Sequence, residues 1–67
     1  MWEQIDNYLQ YFHEDTDIVA EVRKLPWDNE AYVWKVESYT LGRKAVAIAA
    51  NEEHAKQEVL KEIAKWL

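Results

Sequence analysis

Two histidines and a run of acidic residues are the side chains of this sequence that are able to hold a metal ion. His13, Glu14, Asp15 and Asp17 lie within five positions of one another. A calcium loop requires a glycine at its sharp turn, and a zinc site requires several converging ligands, so this run matches neither pattern. His54 falls on the polar side of a predicted helix, where a surface histidine is typical. We therefore expect no metal site and no cofactor.

Three hydroxyl side chains, those of Thr16, Ser38 and Thr40, are the candidates for nucleophilic catalysis. None of them lies in the glycine-flanked turn that exposes a catalytic serine. Gly42 is the only glycine, so the sequence also lacks a phosphate-binding glycine loop. Paired carboxylates act as acid and base only in a cleft that shifts their pKa values, and so small a domain rarely encloses one. The sequence therefore predicts a protein that is not an enzyme.

The chain is acidic, and its acidity is concentrated in the first half. The 67 residues include 13 acids and 8 bases, which gives a net charge of −5. Residues 1–30 hold eight acids and two bases, a charge of −6, whereas residues 31–67 hold five acids and six bases, a charge of +1. Because nucleic-acid affinity depends mainly on neutralising phosphates, the first half should repel nucleic acids. A protein with a basic surface is the expected partner.

Length and cysteine content define the broad class. A chain of 67 residues supplies one core, so we expect a single compact domain over residues 1–67. There is no cysteine, which excludes disulfides and disfavours a small secreted scaffold. No basic stretch followed by an apolar run marks a signal peptide, and the longest uncharged apolar run, 45–50, is too short to span a bilayer. We expect a cytoplasmic protein that does not enter a membrane.

The spacing of the apolar side chains predicts the helices and strands that position these residues. From Trp2 to about His13, the apolar residues Trp2, Ile5, Leu9 and Phe12 recur every three or four positions, which predicts an amphipathic first helix. Residues 17–25 and 31–40 alternate between apolar and polar side chains, which predicts two strands. The polar segment between them, with its proline, aspartate and asparagine, predicts the turn of an antiparallel hairpin.

A third strand is predicted over residues 44–49, but either of its faces fits the core. We favour Val46 and Ile48 facing inward, with the alanines of this strand outward. In the reverse arrangement, Val46 and Ile48 extend an exposed apolar patch that includes Val19 and Val33.

The final helix carries its own start signals. Asn51 is a favourable N-cap residue, and Glu52 and Glu53 follow it in the first turn, where carboxylates complement the helix dipole. The complete order is helix, strand, strand, strand, helix. The predicted fold class is therefore α+β, in an α-β-β-β-α order, with a three-stranded antiparallel meander and two helices packed on one face.

This order resembles the double-stranded RNA-binding domain, and the length is similar as well. In that family the second helix begins with a polar cap, two lysines and an Ala-Lys pair, and it ends in a leucine. Here residues 51–56 read Asn-Glu-Glu-His-Ala-Lys, and the helix continues to Trp66 and Leu67. The resemblance implies the fold, with a pattern match over about 17 residues of the final helix.

The positions that bind RNA in the resembled family differ in this chain. Glu52 and Glu53 stand where the family has paired lysines that hold phosphates. The loop between the first two strands, residues 25–30, is acidic and lacks the Gly-Pro-x-His element that reaches the minor groove. The resemblance therefore implies kinship with folds of this type that bind proteins, and no useful affinity for double-stranded RNA.

The leading hypothesis is a small acidic protein–protein interaction module. Size and charge suit an inhibitor or adaptor, of the phage or mobile-element type, that engages a basic, nucleic-acid-binding surface on its partner. Trp27 either anchors that contact or folds back as a plug on the end of the sheet. The predicted partner-binding residues are Asp15, Asp17, Trp27, Asp28, Glu30, Glu52 and Glu53.

Two other hypotheses stay open. A divergent double-stranded RNA-binding domain would use Lys35, Arg43 and Lys56. A self-associating structural or designed domain, without a catalytic role, would form a homodimer through the outer face of its sheet.

Overall fold

The protein is a five-stranded antiparallel sheet with a helix packed on one face. The computed structural model describes residues 1–27 and 30–67, so Asp28, one of the predicted binding residues, lies outside the described part of the chain. The elements, in chain order, are β1 (Trp2–Ile5), β2 (Tyr8–Phe12), β3 (Ile18–Lys24), β4 (Tyr32–Ser38), β5 (Arg43–Ala49) and α1 (Glu52–Trp66). Each strand pairs with the next one along the chain, so the spatial order is β1-β2-β3-β4-β5.

The α+β class is confirmed, but the predicted three-stranded meander with two helices is wrong. The segment predicted as the first helix is the hairpin β1–β2, in which Ile5 pairs with Tyr8 and only Asp6 and Asn7 form the turn. Asp6 has a φ of 48°, a left-handed conformation that aspartate and asparagine tolerate better than most residues. The segment is also rich in aromatic residues, which are more frequent in strands than in helices. Within the described residues, no helix is long and apolar enough to cross a membrane.

The strands β3 and β4 confirm the predicted hairpin and form the centre of the core. Their inward side chains alternate along both strands, as the sequence pattern indicates, and they are buried beneath α1. Trp34 pairs with Val22 on one side and with Ala47 on the other, so its indole lies in the middle of the sheet. The buried apolar residues of these two strands are Ile18, Ala20, Val22, Trp34 and Val36.

The favoured orientation of β5 is wrong, and the reverse arrangement is found. Ala49 is buried and Ala45 packs against the core, whereas Val46 and Ile48 point to the opposite face with 55% and 64% of their surfaces exposed. The reason is the close approach of α1, whose Ala55 is fully buried. Because an alanine side chain is short, it lets a helix lie close to the strands, where valine and isoleucine would hold it away.

The predicted final helix is confirmed. The Asn51 side chain accepts a hydrogen bond of 2.8 Å from the backbone N–H of His54, which caps the first turn as the sequence predicts. Ala55, Val59 and Ile63 form its buried stripe, which packs against β3, β4 and β5. The opposite face of the sheet, called the outer face below, is not covered by α1.

Candidate functional site

The predicted partner-binding residues are divided between the two ends of the sheet. Asp15 and Asp17 precede β3, whereas Trp27 and Glu30 follow it. The seven residues of β3 separate the two groups by roughly 23 Å at the rise of an extended strand. These residues therefore do not form a single patch.

One end of the sheet gathers four of the predicted residues, and we call it the loop end: Trp27, Glu30, Glu52 and Glu53. The strand pairing explains the grouping. Tyr32 begins β4 directly after the β3–β4 loop and pairs with Ala49, the last residue of β5. Since only Ala50 separates Ala49 from Asn51 and the first turn of α1, that turn lies at the same end of the sheet as the β3–β4 loop.

Trp27 is exposed over 79% of its surface, so it does not plug the end of the sheet. Leu25 is the buried residue at this end of the hairpin, with 9% of its surface exposed. Its backbone N–H donates a hydrogen bond of 3.0 Å to the carbonyl of Ala31. Because Leu25 closes the hairpin, Trp27 is held on the solvent side of the loop. The sequence does not indicate which of these two residues is buried, since both are large and apolar.

Glu52 and Glu53 are exposed in the first turn of α1. Carboxylates at this position stabilise a helix by about 0.3–1 kcal/mol each, because they complement the positive end of its dipole. The pair therefore has a role in the stability of α1 and also presents negative charge to solvent. A variant of either residue can therefore change the stability of α1 as well as the surface charge, and each effect needs its own measurement.

At the opposite end, the carboxylate of Asp17 holds two turns together. The Ser38 hydroxyl donates a hydrogen bond of 2.6 Å to one carboxylate oxygen, while the backbone N–H and the hydroxyl of Thr40 donate bonds of 2.7 and 2.9 Å to the other. Ser38 is 1% exposed, and its oxygen in turn accepts a bond of 3.1 Å from the N–H of Leu41. An open groove of about 640 Å³ lies beside this cluster, and Trp66 and Leu67 are among its lining residues. Since donors of this chain occupy both oxygens of Asp17, we assign the cluster a structural role.

The hydrogen bond from Ser38, followed by the one from the Thr40 backbone, lowers the pKa of Asp17 below its ordinary value of 3.8. A group whose pKa is lower in the folded state contributes stability above its unfolded pKa, and that stability is lost as the pH falls through the folded pKa. We therefore expect Asp17→Asn to lower the melting temperature at neutral pH. The difference from the wild type should shrink as the pH falls below about 3.8, the unfolded value.

Thermal unfolding followed by circular dichroism between neutral and acidic pH measures this difference. Asp15→Asn is the matched control, because it makes the same change of charge in the same turn. A difference between wild type and Asp17→Asn that stays constant down to the most acidic pH would contradict the assigned role of the carboxylate.

The outer face carries a chain of ion pairs at its centre. Glu21 lies 3.2 Å from the Arg23 guanidinium and 3.3 Å from the Lys35 ammonium, which is also 3.7 Å from Glu37. Burial raises the pKa of Glu21, but the hydrogen bonds and charges of Arg23 and Lys35 outweigh it and hold the pKa below its ordinary value. The charges at the middle of the outer face therefore compensate one another.

The three bases assigned to RNA binding are not brought together. Lys35 takes part in the ion pairs of the outer face. The Lys56 ammonium lies 5.8 Å from the centre of the Trp2 ring, on the face of the sheet that α1 covers. Arg43 begins β5, at the end of the sheet opposite the loop end. These positions do not form a continuous basic surface.

The two histidines have different surroundings. The His54 Nε2 atom is 3.1 Å from the Glu58 carboxylate one helical turn away, and both side chains are at the surface of α1. His13 packs against Tyr11, with 6.4 Å between ring centres. Over residues 1–27 and 30–67, no three side chains of the metal-binding types are grouped around a common point.

The fold and the loop end define a small α+β domain with an exposed aromatic side chain at the same end of the sheet as three carboxylates. Comparisons with protein-family models, with curated proteins and with solved structures gave no match for this chain. The likeness of α1 to the second helix of a double-stranded RNA-binding domain therefore stays a prediction from the sequence.

Proposed function

We propose that this protein is an acidic protein-binding module whose loop end engages a basic surface on a partner protein. The partner surface is of the kind that binds nucleic acid, and the module acts on it as an inhibitor or adaptor in the cytoplasm. The observation that carries the proposal is the exposed indole of Trp27, at the end of the sheet that also holds Glu30, Glu52 and Glu53.

An exposed tryptophan and several carboxylates at the same end of a domain have complementary roles in association. Tryptophan is enriched among the residues that supply most of the binding energy, because its large apolar surface fills a pocket on the partner. Carboxylates at the same end raise the rate of encounter with a basic surface and disfavour acidic partners. The loop end combines both features.

Asp15 and Asp17 are left out of the proposed surface. They lie at the far end of β3, and the carboxylate of Asp17 is held by Ser38 and Thr40. The nucleic-acid hypothesis is not favoured by a comparable observation, because the bases that it requires are dispersed. Lys35 lies on the outer face, Lys56 on the face that α1 covers, and Arg43 at the end opposite the loop end.

Charge reversal at the loop end tests the electrostatic part of the proposal. We expect Glu53→Lys to lower the association rate constant with the natural partner by roughly threefold to tenfold, with a weaker dependence on salt, because a steering charge is reversed. The partner is captured from the host with the wild-type protein and identified by mass spectrometry. Association rates are then measured by surface plasmon resonance at several salt concentrations.

Glu14→Lys is the matched control, since it makes the same change of net charge at an exposed position at the opposite end of the sheet. Thermal unfolding of both variants separates loss of binding from loss of helix stability. The proposal fails if both variants slow association equally. It also fails if the captured protein has no basic, nucleic-acid-binding surface, or if the wild-type protein does not compete with nucleic acid for it.

A further inference from the structure

The two edges of the sheet differ in how well they are protected against pairing with another strand. β1 is short, with four residues, and carries Glu3 and Gln4 in its middle. β5 has seven residues, and its last five, residues 45–49, are uncharged and contain no proline. Natural proteins commonly protect an edge strand by shortness, charge, proline or a bulge, since an open edge pairs with other strands. The last five residues of β5 therefore lack the protection that a charge or a proline would give.

The exposed side chains of β5 lie beside that open edge. Val46 and Ile48 are 55% and 64% exposed, although β-branched residues of this kind are usually buried in a sheet. Stacking a second sheet on the outer face would also cover the ion pairs around Glu21 and Lys35, and removing such charges from water is costly. Pairing along the edge extends the sheet and leaves those ion pairs in solvent.

The sequence of β5 is complementary to itself in the antiparallel direction. When two copies pair about a two-fold axis at Val46, Lys44 of one copy lies opposite Ile48 of the second copy, and Arg43 lies opposite Ala49. No like charges face each other. Beyond Ala49 the chain enters the acidic first turn of α1, so the basic start of β5 in one copy approaches Glu52 and Glu53 of the second copy.

We propose that β5 binds β5 of a second copy of this chain, antiparallel and centred on Val46. The two sheets then form one continuous sheet with both helices on the same face. The apolar contact lies at the centre of the interface, and opposite charges lie at its two ends. This homodimer uses the edge of the sheet rather than the centre of the outer face.

Two variants of Val46 test the pairing. In the dimer, Val46→Lys places two ammonium groups opposite each other, and Val46→Glu does the same with two carboxylates. Like charges directly opposite in an antiparallel pair are destabilising, so we expect each variant to weaken self-association by about tenfold or more. An equimolar mixture of the two variants should restore dimers, because lysine then faces glutamate. Sedimentation velocity over a wide range of concentrations measures all three samples.

Val19→Lys is the control for a lysine added to the outer face, and the mixture of Val46 variants controls for the local effect of Lys35, which pairs with Val46 in the same sheet. Val19→Lys introduces the same charge on the outer face but in β3, two strands away from the edge, and there it faces Glu37 across the strand pair. Dimers that persist in Val19→Lys and are lost in Val46→Lys support the edge interface, and circular dichroism verifies that each variant is folded. The proposal is overturned by a wild-type protein that stays monomeric at every concentration, or by a mixture of variants that stays monomeric. Dimers broken by Val19→Lys instead would also overturn it.

Glu52 and Glu53 belong both to the loop end and to the ends of this interface, whereas Trp27 and Val46 each belong to one of the two surfaces. The Trp27 variant therefore tests partner binding and the Val46 variants test the dimer, so the two proposals can fail separately.

Discussion

Replacing Trp34 with alanine is expected to remove a large part of the protein's free energy of unfolding. Trp34 is 6% exposed at the middle of the sheet, between Val22 and Ala47 and beneath α1. Removing a buried tryptophan side chain costs about 3–5 kcal/mol. A domain of this length has a free energy of unfolding of only about 3–10 kcal/mol. The cost is therefore a large fraction of the stability of the whole domain.

Urea denaturation followed by circular dichroism measures the loss, and Trp34→Phe is the informative companion. The indole Nε1 of Trp34 is buried and has no hydrogen-bond partner within the described part of the chain. Phenylalanine removes that unsatisfied donor while it keeps most of the apolar volume, so we expect a much smaller loss than with alanine. An unfolding midpoint of Trp34→Ala equal to that of the wild type would contradict the position of this residue in the core.

The central hairpin and the final helix were predictable because local and long-range requirements agree there. The alternating residues of β3 and β4 are buried on one side only, so the pattern of their side chains reports the fold directly. Asn51 and the two glutamates after it mark the start of α1 independently of what the helix packs against.

The first hairpin was not predictable from spacing, since its apolar residues fit a helix as well. Trp2 and Leu9 face the core from neighbouring strands, and their separation in sequence matches two helical turns by coincidence. The sequence feature that distinguishes a hairpin from a helix here is the Asp6-Asn7 turn within a segment rich in aromatic residues. The orientation of β5 depends on how closely α1 approaches the sheet, which no local pattern of alanines and valines specifies.

The candidate site was predictable in composition but not in arrangement. The acidic residues and Trp27 were identified from their types, whereas their division between two ends follows from the length of β3. The exposure of Trp27 depends on Leu25, two residues earlier, taking the buried position. Sequence alone does not rank two large apolar residues in one loop.

Replacing Trp27 with alanine is expected to have the largest effect on binding of any single change at the loop end. Truncation of a tryptophan that anchors an interface costs at least about 2 kcal/mol, which is roughly a thirtyfold increase in the dissociation constant. Because Trp27 is 79% exposed, the same change should leave the unfolding midpoint almost unaltered. Isothermal titration with the captured partner, together with urea denaturation, measures both quantities.

The matched control is Tyr39→Ala, which removes another exposed aromatic side chain. Tyr39 is 97% exposed and lies in the turn after β4, at the end of the sheet opposite Trp27. We expect this variant to bind the partner as tightly as the wild type, because the proposed surface does not extend that far. Equal losses in the two variants would mean that exposed aromatic surface in general drives association. Unchanged binding by Trp27→Ala would remove the anchor on which the acidic surface depends, and the carboxylates at an exposed sheet end would then act only on solubility and helix stability.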